Sequence, residues 1–451
     1  MKTDQFDPSQ YVQDHASEGE FLVHRDVFRD PEIFDLEMKN IFESSWVFLG
    51  LTSQLKKPND FFTAWIGRQP VIVSRDATGK IHCLLNTCRH RGAIVAHTRQ
   101  GNERHHICQY HGWAYDSAGK CVSVKDEADA LYAEGFSAES HDLVAVPRLA
   151  EYRGLLFASL VDDVVPIEEH LGGAKAFIDL VVDQGRDGVE LLPGTGTYTF
   201  RANWKLQIEN CVDGYHLTST HPSFMKIVER RKLGESRTPL RNIDFNLYGS
   251  LSVVSGGFTF PYGHAVLWSG NPAPETRPIF PAIEEVRSRV GDVRARWMLK
   301  ARNLTLFPNV QFAESASLQM RVIRPIAPDL TEMTIHCIAP VGEAPAVRAN
   351  RIRLYEDFFN STGLATPDDS QTYEDCQTGF RALSVNRMQG YHRGMKSVQS
   401  GADDYARELG IEPATSQNGP FAIQDETLFH ACYREWLRLM NKAQRVGGSA
   451  P

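Results

Sequence analysis

The sequence predicts an α+β protein with two domains, a small all-β domain and a larger domain in which an antiparallel sheet is combined with helices. Three observations support this prediction. The chain has 451 residues, whereas a single hydrophobic core stops growing at roughly 250–300 residues. Between about residues 45 and 160 the sequence consists of short β-runs broken by turns, and after residue 160 strand and helix patterns alternate.

The small domain is predicted from two hairpin signals. The first is VIVSR at 71–75, a turn at 76–79 and IHCLLN at 81–86. The second is WAY at 113–115, a turn through 116–119 and CVSV at 121–124. Runs rich in β-branched and aromatic residues that are separated by Gly, Asp and Ser are typical of antiparallel strands. We assign residues 45–160 to this domain.

The larger domain is predicted to contain both element types. TYTFRANW at 197–204 and MTIHCIAPV at 333–341 have the composition of strands, whereas 347–360 and 425–440 have helical spacing. The stretch 33–46 is compatible with a helix but cannot be assigned by pattern, and we attach it to this domain. The larger domain then comprises residues 1–44 and 161–451.

Composition argues against several classes of function. With 48 basic and 56 acidic side chains, the formal charge of −8 offers no basic surface for nucleic acid or for an anionic membrane. The start, MKTDQFDPSQ, has no apolar segment of the kind found in secretion signals. Eight cysteines in a chain of this length are too few for a disulfide framework. We therefore expect a soluble, cytoplasmic protein.

A first metal-binding pattern lies in the small domain. CRHRG at 88–92 and CQYHGW at 108–113 each offer one cysteine and one histidine. A structural zinc ion accepts two cysteines and two histidines and is the plain interpretation. Zinc fingers, however, pair cysteine with cysteine and histidine with histidine. One cysteine and one histidine from each loop favours a [2Fe–2S] cluster in which histidines replace two cysteines on one iron. The candidate ligands are Cys88, His90, Cys108 and His111.

A second pattern, NWKLQIENCVDGYHLTSTHPSF at 203–224, contains His216, His221 and an aspartate, Asp213. Asp213 and His216 would share one face of a helix, because positions three apart are neighbours. Pro222 should end or distort that helix at His221. Two histidines and a carboxylate on one side of a metal form the facial triad of iron(II) oxygenases.

The third ligand of that triad is left open by the residues themselves. The best candidate is Asp369 in GLATPDDSQTYE at 363–374. Here Thr366 would make a good N-cap and Pro367 a good first helical residue, and acidic residues in a first turn complement the helix dipole. On this evidence alone, a capping role for the Asp368–Asp369 pair is favoured over metal binding.

At this point the chain resembles a known family, the α subunits of Rieske ring-hydroxylating dioxygenases, and within it the benzoate and anthranilate type. The motifs C-x-H…C-x-x-H, E-N-x-x-D-G-Y-H-x-x-x-x-H and A-T-P-D-D-x-x-x-x-E occur in the family's order. Stretches such as NLTLFPNV at 303–310 and IAPVGEAP at 338–345 are also similar. The resemblance covers almost the whole chain.

The resemblance implies a role for each matching residue and a helix-grip fold for the larger domain. Cys88, His90, Cys108 and His111 would hold a Rieske [2Fe–2S] cluster. His216, His221 and Asp369 would hold a mononuclear Fe(II), so the family pattern selects Asp369 as the third ligand. Asp213 would link a cluster histidine of one subunit to an iron histidine of the next, which implies a trimeric ring.

The implied activity is cis-dihydroxylation of an aromatic carboxylate such as benzoate or anthranilate with O₂. Electrons would come from NADH through a separate flavin and iron–sulfur reductase, with or without a ferredoxin, and a small β subunit would accompany the chain. Three alternatives remain. One is a Rieske monooxygenase or demethylase acting on an aromatic acid. The second, from a different class, is a Rieske electron carrier without enzymatic activity, against which the length of the chain argues. The third is a binding protein stabilised by a zinc ion.

Overall fold

The structure is a computed structural model that describes residues 6–129, 132–133, 135–232 and 253–446. The chain forms two compact units. One is Phe42–Ile167, and the other joins the chain up to Ile41 to the chain from Glu168 onward. In the described ranges no helix is long and apolar enough to cross a lipid bilayer.

The strands are, in chain order, β1 Val12–His15, β2 Glu20–His24, β3 Val47–Leu51, β4 Asp60–Ile66, β5 Gln69–Arg75, β6 Ile81–Leu85, β7 Gln100–Asn102, β8 His105–Ile107, β9 Ala114–Asp116, β10 Cys121–Ser123, β11 Arg148–Tyr152, β12 Leu155–Ser159, β13 Val189–Leu191, β14 Gly196–Phe200, β15 Ser255–Thr259, β16 Ala265–Ser269, β17 Ala301–Leu306, β18 Val310–Glu314, β19 Gln319–Ala327, β20 Leu330–Pro340, β21 Arg387–Met388, β22 Gln399–Ser400 and β23 Thr415–Gly419.

The α-helices are α1 Pro31–Glu37, α2 Ile167–Leu171, α3 Lys175–Val182, α4 Trp204–Cys211, α5 Leu217–Thr220, α6 Pro222–Lys232, α7 Ile283–Val290, α8 Asp292–Leu299, α9 Pro345–Phe358, α10 Thr366–Gly379, α11 Asp404–Leu409 and α12 Phe429–Val446.

The smaller unit is built from antiparallel strands in three sheets, ordered β6-β5-β4-β7, β10-β9-β8 and β11-β12-β3. Successive side chains of a strand point to opposite faces, and β5 is buried on both. Val71 and Val73 pack into one hydrophobic cluster, whereas Ile72 packs into a second cluster that also contains Cys88 and Cys108. The cysteine loops are therefore anchored in the core of this unit.

The larger unit contains a ten-stranded antiparallel sheet with the order β13-β20-β19-β18-β17-β16-β15-β23-β22, in which β14 also pairs with β20. Helix α4 packs on one face of this sheet. Gln311 of β18 fixes it there, because its amide nitrogen donates to the carbonyl oxygens of Gln207 and Ile208 at 3.0 and 3.2 Å. An all-β unit beside a unit of antiparallel sheet and helices confirms the predicted α+β class.

Helices α4 and α10 are held together at the start of α4. The backbone nitrogen of Asn203 donates to the side chain of Gln377 at 3.0 Å, and that of Arg201 donates to Glu374 at 2.8 Å. These bonds bring the first turn of α10 close to the chain that follows α4. The candidate ligand Asp369 is thereby brought near the pattern that contains His216 and His221.

Two sequence expectations need correction here. The strand expected over 197–204 ends at Phe200, and Trp204 begins α4. The side chain of Asn203 accepts a hydrogen bond from the backbone of Lys205 at 3.1 Å and so caps the helix. The helix expected from residue 425 begins only at Phe429.

Two candidate metal centres

Two loops of the small unit share one backbone design. In the first loop the nitrogen of Cys88 donates to the carbonyl of Ala93 at 2.8 Å, and Gly92 donates back to Cys88 at 2.9 Å. The second loop repeats both bonds at the same lengths, with Gly112 donating to Cys108. Gly92 and Gly112 have φ of 75° and 74°, which side-chain-bearing residues rarely adopt. The repeated turn presents one cysteine and one histidine from each loop.

The four side chains of the first pattern are segregated by burial. Cys88 and Cys108 are buried in one hydrophobic cluster, whereas His90 is exposed and His111 half-buried. The Nδ1 atoms of the two histidines lie 3.0 Å apart. Two inner thiols and two outer imidazoles match a two-iron cluster that takes thiolates on one iron and imidazoles on the other.

Tyr115 adds a hydrogen bond to this arrangement. Its hydroxyl oxygen accepts from the backbone nitrogen of Arg89 at 3.1 Å and lies 3.2 Å from the sulfur of Cys88. Because the oxygen already accepts from Arg89, its own proton is available to the sulfur. Sequence reasoning did not single out Tyr115, since a tyrosine on a short strand has core packing as its ordinary explanation.

The second pattern lies where the helical path after α4 is interrupted. Helix α4 ends at Cys211, and Asp213 then accepts hydrogen bonds from the nitrogens of Tyr215 and His216 at 2.6 and 3.3 Å. The expectation that Asp213 and His216 lie on one continuous helix is therefore wrong. The carboxylate instead closes the turn before the short helix α5, whose N-cap is His216.

A glycine allows this interruption. A Cβ atom on Gly214 would come within 2.3 Å of the carbonyl oxygen of Ile423. The helix break expected at the residue before Pro222 is confirmed, because His221 terminates α5 with φ −107° and ψ 38°.

The side chains of His216, His221 and Asp369 converge. Their ligand atoms lie within 4.8 Å of one another. Oδ1 of Asp369 is 3.4 Å from Nε2 of His216 and 3.2 Å from Nε2 of His221. Asp369 and His221 are buried. Two imidazoles and one carboxylate gathered at one point suit an Fe(II) site with open positions.

The predicted cap of α10 differs from the structure. Thr366 is the first helical residue, and Ala365 occupies the capping position. The Thr366 hydroxyl donates to the carbonyl of Phe359 at 2.9 Å and does not cap the helix. Asp368 and Asp369 do occupy the first turn, as expected.

Neighbouring polar groups hold each of the three side chains. Nδ1 of His216 lies 3.1 Å from Asp213, and Nδ1 of His221 lies 3.5 Å from Asp368. Because carboxylates lie next to the Nδ1 atoms, the Nε2 atoms of both histidines face Asp369. Outer partners of this kind orient ligating histidines. Asn210 donates to Oδ1 of Asp369 at 3.2 Å and lies 3.3 Å from His216.

Sequence reasoning quoted Asn210 only as part of a motif, and it gave Asp368 only a role in capping a helix. Asn210 follows Glu209 in the E-N-x-x-D segment, and Asp368 precedes Asp369. Their positions beside the predicted ligands were the available signal.

Charges in this region reinforce one another. Burial alone would lower the pKa of His216, but Asp213 and then Asp369 raise it above its usual value. Burial alone would raise the pKa of Asp369, yet the hydrogen bond from His221 and the charge of His216 hold it below its usual value. Without a bound cation, these shifts favour a protonated His216 beside an ionised Asp369, and a divalent cation would bind in place of that proton.

The triad lines a pocket with an empty volume of about 620 Å³, part of which is open to solvent. That size lies within the range of small-molecule sites. Apolar and aromatic side chains form much of the wall, and they include Leu217, Leu267, Phe358 and Phe359. The pocket could accept a flat apolar group beside the triad.

These two sites and the folds that carry them define the class of Rieske non-haem iron oxygenases. Residues 45–144 match the Rieske [2Fe-2S] domain, and residues 191–442 match the catalytic domain of the ring hydroxylating alpha subunit. The chain belongs to this family of ring-hydroxylating dioxygenase α subunits, which carry a Rieske cluster and a mononuclear iron.

Its relatives are similar along nearly their whole length. The large subunit of 2-halobenzoate 1,2-dioxygenase from Burkholderia cepacia is 43% identical over 96% of this chain and 92% of its own. The toluate 1,2-dioxygenase α subunit of Pseudomonas putida is 41% identical over 96% and 94%. The crystal structure of naphthalene 1,2-dioxygenase from Rhodococcus sp. bound to indole superposes with a TM-score of 0.79 and 26% identity, over 93% of this chain and 94% of that one. The predicted family is confirmed.

Proposed function

We propose that the chain is the large subunit of a terminal oxygenase that cis-dihydroxylates an aromatic carboxylate of the benzoate type. The observation that carries this proposal is the convergence of His216, His221 and Asp369 on the wall of an apolar pocket. The named activities of the halobenzoate and toluate relatives support the choice of an aromatic acid. In the net reaction O₂, two electrons and two protons convert the ring to a cis-diol, and both oxygen atoms enter the ring.

In this proposal His216, His221 and Asp369 hold the iron, and the four loop residues Cys88, His90, Cys108 and His111 hold the cluster. The iron supplies activation of O₂ when it is bound. Asp213 and Asp368 fix the imidazole orientations, and Asn210 restrains the Asp369 carboxylate. We assign the cluster to a domain at residues 45–160 and the iron to the remaining chain, 1–44 and 161–451.

The pocket wall would orient the aromatic ring and exclude water. Leu267, Phe358 and Phe359 offer apolar contacts for a ring, and two of them are aromatic. Holding the ring at a fixed place beside the triad determines which two carbons react, because positioning converts an encounter between molecules into a reaction within one complex. Excluding water also strengthens each charge interaction within the site.

We propose that Asp213 links neighbouring subunits in a ring of three, with or without three small β subunits. Its Oδ1 is engaged by the backbone of Tyr215 and His216, and its Oδ2 lies 3.1 Å from His216. Beside it, Tyr215 is 49% exposed, as a residue that meets another subunit would be in an isolated chain. Electrons would reach the cluster from NADH through a flavin and iron–sulfur reductase in the cytoplasm, with or without a ferredoxin.

The function is tested by product analysis. Purified protein is supplied with a reductase, NADH and ¹⁸O₂, and incubated with benzoates that carry ortho amino, hydroxy, halo or no substituent. A dioxygenase places two labelled atoms in each product ring. A single labelled atom would show a monooxygenase, and loss of a methyl group would show a demethylase.

Metal analysis tests the class. The proposal requires cluster iron with acid-labile sulfide and one additional iron for each chain. Cluster iron alone would indicate an electron carrier, and zinc without sulfide would overturn the Rieske assignment.

A further inference from the structure

Arg321 lines the pocket as a buried cation without a carboxylate partner in the described ranges. It lies on β19, between Gln311 of β18 and Ile335 of β20, and is 8% exposed. Its Nε donates to Oε1 of Gln319 at 2.6 Å, and its guanidinium lies 5.6 Å from the ring centre of Phe359. Burial of an unpaired charge is strongly unfavourable, so this position calls for an anion.

The pocket is lined by a second arginine, Arg302, and both terminal nitrogens of its guanidinium have hydrogen-bond acceptors. One of its terminal nitrogens pairs with Glu314 and the other donates to the carbonyl of Trp297. Glu314 also pairs with Arg277 at 2.9 Å. Arg302 therefore serves the fold, whereas Arg321 retains terminal donors that no described group accepts.

Gln319 holds the guanidinium of Arg321 in place. Its amide oxygen accepts from Nε of Arg321, and its amide nitrogen donates to the carbonyl of Phe359 at 3.0 Å. With Nε engaged and the cation packed near an aromatic ring, the two Nη groups remain as a fork. A guanidinium fork matches the two oxygens of a carboxylate.

The triad does not neutralise this charge. Burial raises the pKa of Asp369, and Arg321 helps to hold it low, although the two histidines lower it more. In the proposed iron site, however, that carboxylate is shared with a divalent cation and two neutral imidazoles, which together carry a net positive charge. Arg321 and the occupied iron site would then be two positive groups on a pocket wall that also carries apolar side chains.

We infer that Arg321 binds the carboxylate of the aromatic acid and thereby sets the preference for aromatic acids over neutral rings. The inference rests on the proposed function and names the group that selects the substrate. The ring of the acid would lie against Leu267 and Phe358, with its carboxylate on the Nη fork. Arg321 is thus a specificity-determining residue and is not itself an iron ligand.

The test compares benzoate with benzamide, which has the same shape and no charge. Binding is measured by calorimetry on the oxidised holoenzyme without reductant, so that no turnover occurs. The wild type is expected to bind benzoate at least about 30-fold more tightly than benzamide. Arg321→Gln should weaken benzoate binding about 30- to 100-fold and change benzamide binding less than about 3-fold.

Arg324→Gln is the matched control. Arg324 lies on the same strand and pairs with Glu332 at 3.3 Å, and it is not part of the pocket wall. This variant removes the same charge and should bind both ligands as the wild type does. Iron content is also measured in each variant. If Arg321 only supports Asp369, Arg321→Gln should contain less iron and bind both ligands more weakly to the same degree. That result would overturn the inference.

The outcomes separate this inference from the proposed function. A wild type that binds benzoate no better than benzamide and oxidises no aromatic acid overturns both. A wild type that prefers benzoate and a variant that keeps the preference overturn only the role of Arg321.

If Arg321→Gln does not fold, Arg321→Lys keeps the charge without the fork. Its ratio of benzoate to benzamide affinity should fall about 10-fold, and an unchanged ratio would overturn the inference.

Discussion

The two candidate metal centres differ most in their access to solvent. The cluster loops bury their cysteines but leave His90 exposed. The triad places His221 and Asp369 inside the larger unit, at 3% and 7% exposure. A centre that receives electrons from another protein needs ligands at the surface, whereas a centre that activates oxygen benefits from a dry surrounding. The contrast in burial matches the two proposed tasks.

The two centres also differ in how the backbone builds them. The cluster loops use one regular turn twice, each with a glycine at positive φ. The triad uses an irregular break between short helices together with the first turn of a distant helix. Regular local geometry can be recognised in a sequence. Convergence of distant segments depends on packing.

The largest expected effect comes from removing one ligand of the buried centre. Asp369→Ala should lose the additional iron and reduce turnover to below about 1% of wild type, because loss of outer partners alone costs 10- to 100-fold. The electron paramagnetic resonance signal of the reduced cluster should persist. Asp368→Asn, one residue away and beside His221, should cost about 10-fold. Equal losses in both variants would contradict the assignment of Asp369.

A second variant tests the connection between the centres. Asp213→Ala should leave both metals bound but reduce turnover by about 100-fold, because His216 loses the carboxylate at its Nδ1. Metal content and single-turnover kinetics provide the measurement. Glu426→Gln, which alters a carboxyl group near Asp213 that makes no described contact with His216, is the control. Full activity of a metal-replete Asp213→Ala protein would refute the bridging role.

The buried surroundings of the triad should also make stability depend on pH. Burial raises the pKa of Glu209 to about 7, although the hydroxyls of Tyr433 and Tyr391 donate to it. A raised carboxyl pKa stabilises the fold fully below the unfolded value of about 4.5, and this stability is lost as the pH rises through 7. The contribution is about 3 kcal/mol.

Glu209→Gln stays neutral at every pH and removes this contribution. The thermal midpoint of Glu209→Gln, relative to that of the wild type, should therefore rise by a few degrees between pH 4.5 and pH 8. Scanning calorimetry over this range provides the measurement. A difference that is constant with pH would contradict the raised pKa.

The smallest expected effect concerns the exposed centre. Tyr115→Phe removes a hydrogen bond to the sulfur of Cys88, and hydrogen bonds to cluster sulfurs raise the reduction potential. Loss of about 1–2 kcal/mol corresponds to a potential lower by about 40–90 mV for one electron. Redox titration of the cluster provides the measurement. Tyr110→Phe, on the neighbouring loop surface, should leave the potential unchanged.

Much of the fold could be predicted because its signals are local. The hairpin over 71–86 and the helix break before Pro222 depend on turn residues and on proline, and both appear where expected. The errors arose where one side chain overrode a pattern. Asn203 capped a helix inside an expected strand, and Asp213 closed a turn before α5 where a continuous helix was expected.

The sequence by itself determined the class of protein, because the paired Cys/His loops and the two histidines are each set by short-range spacing. It also determined the family through motifs that occur in order along the chain. Tertiary structure decided what lies beside these residues. Asp369 is 148 positions from His221 along the chain, and the hydrogen bonds between α4 and α10 bring the two together. Arg321 became distinguishable from Arg302 only when packing showed which guanidinium has a carboxylate partner, since a sequence does not record long-range pairing.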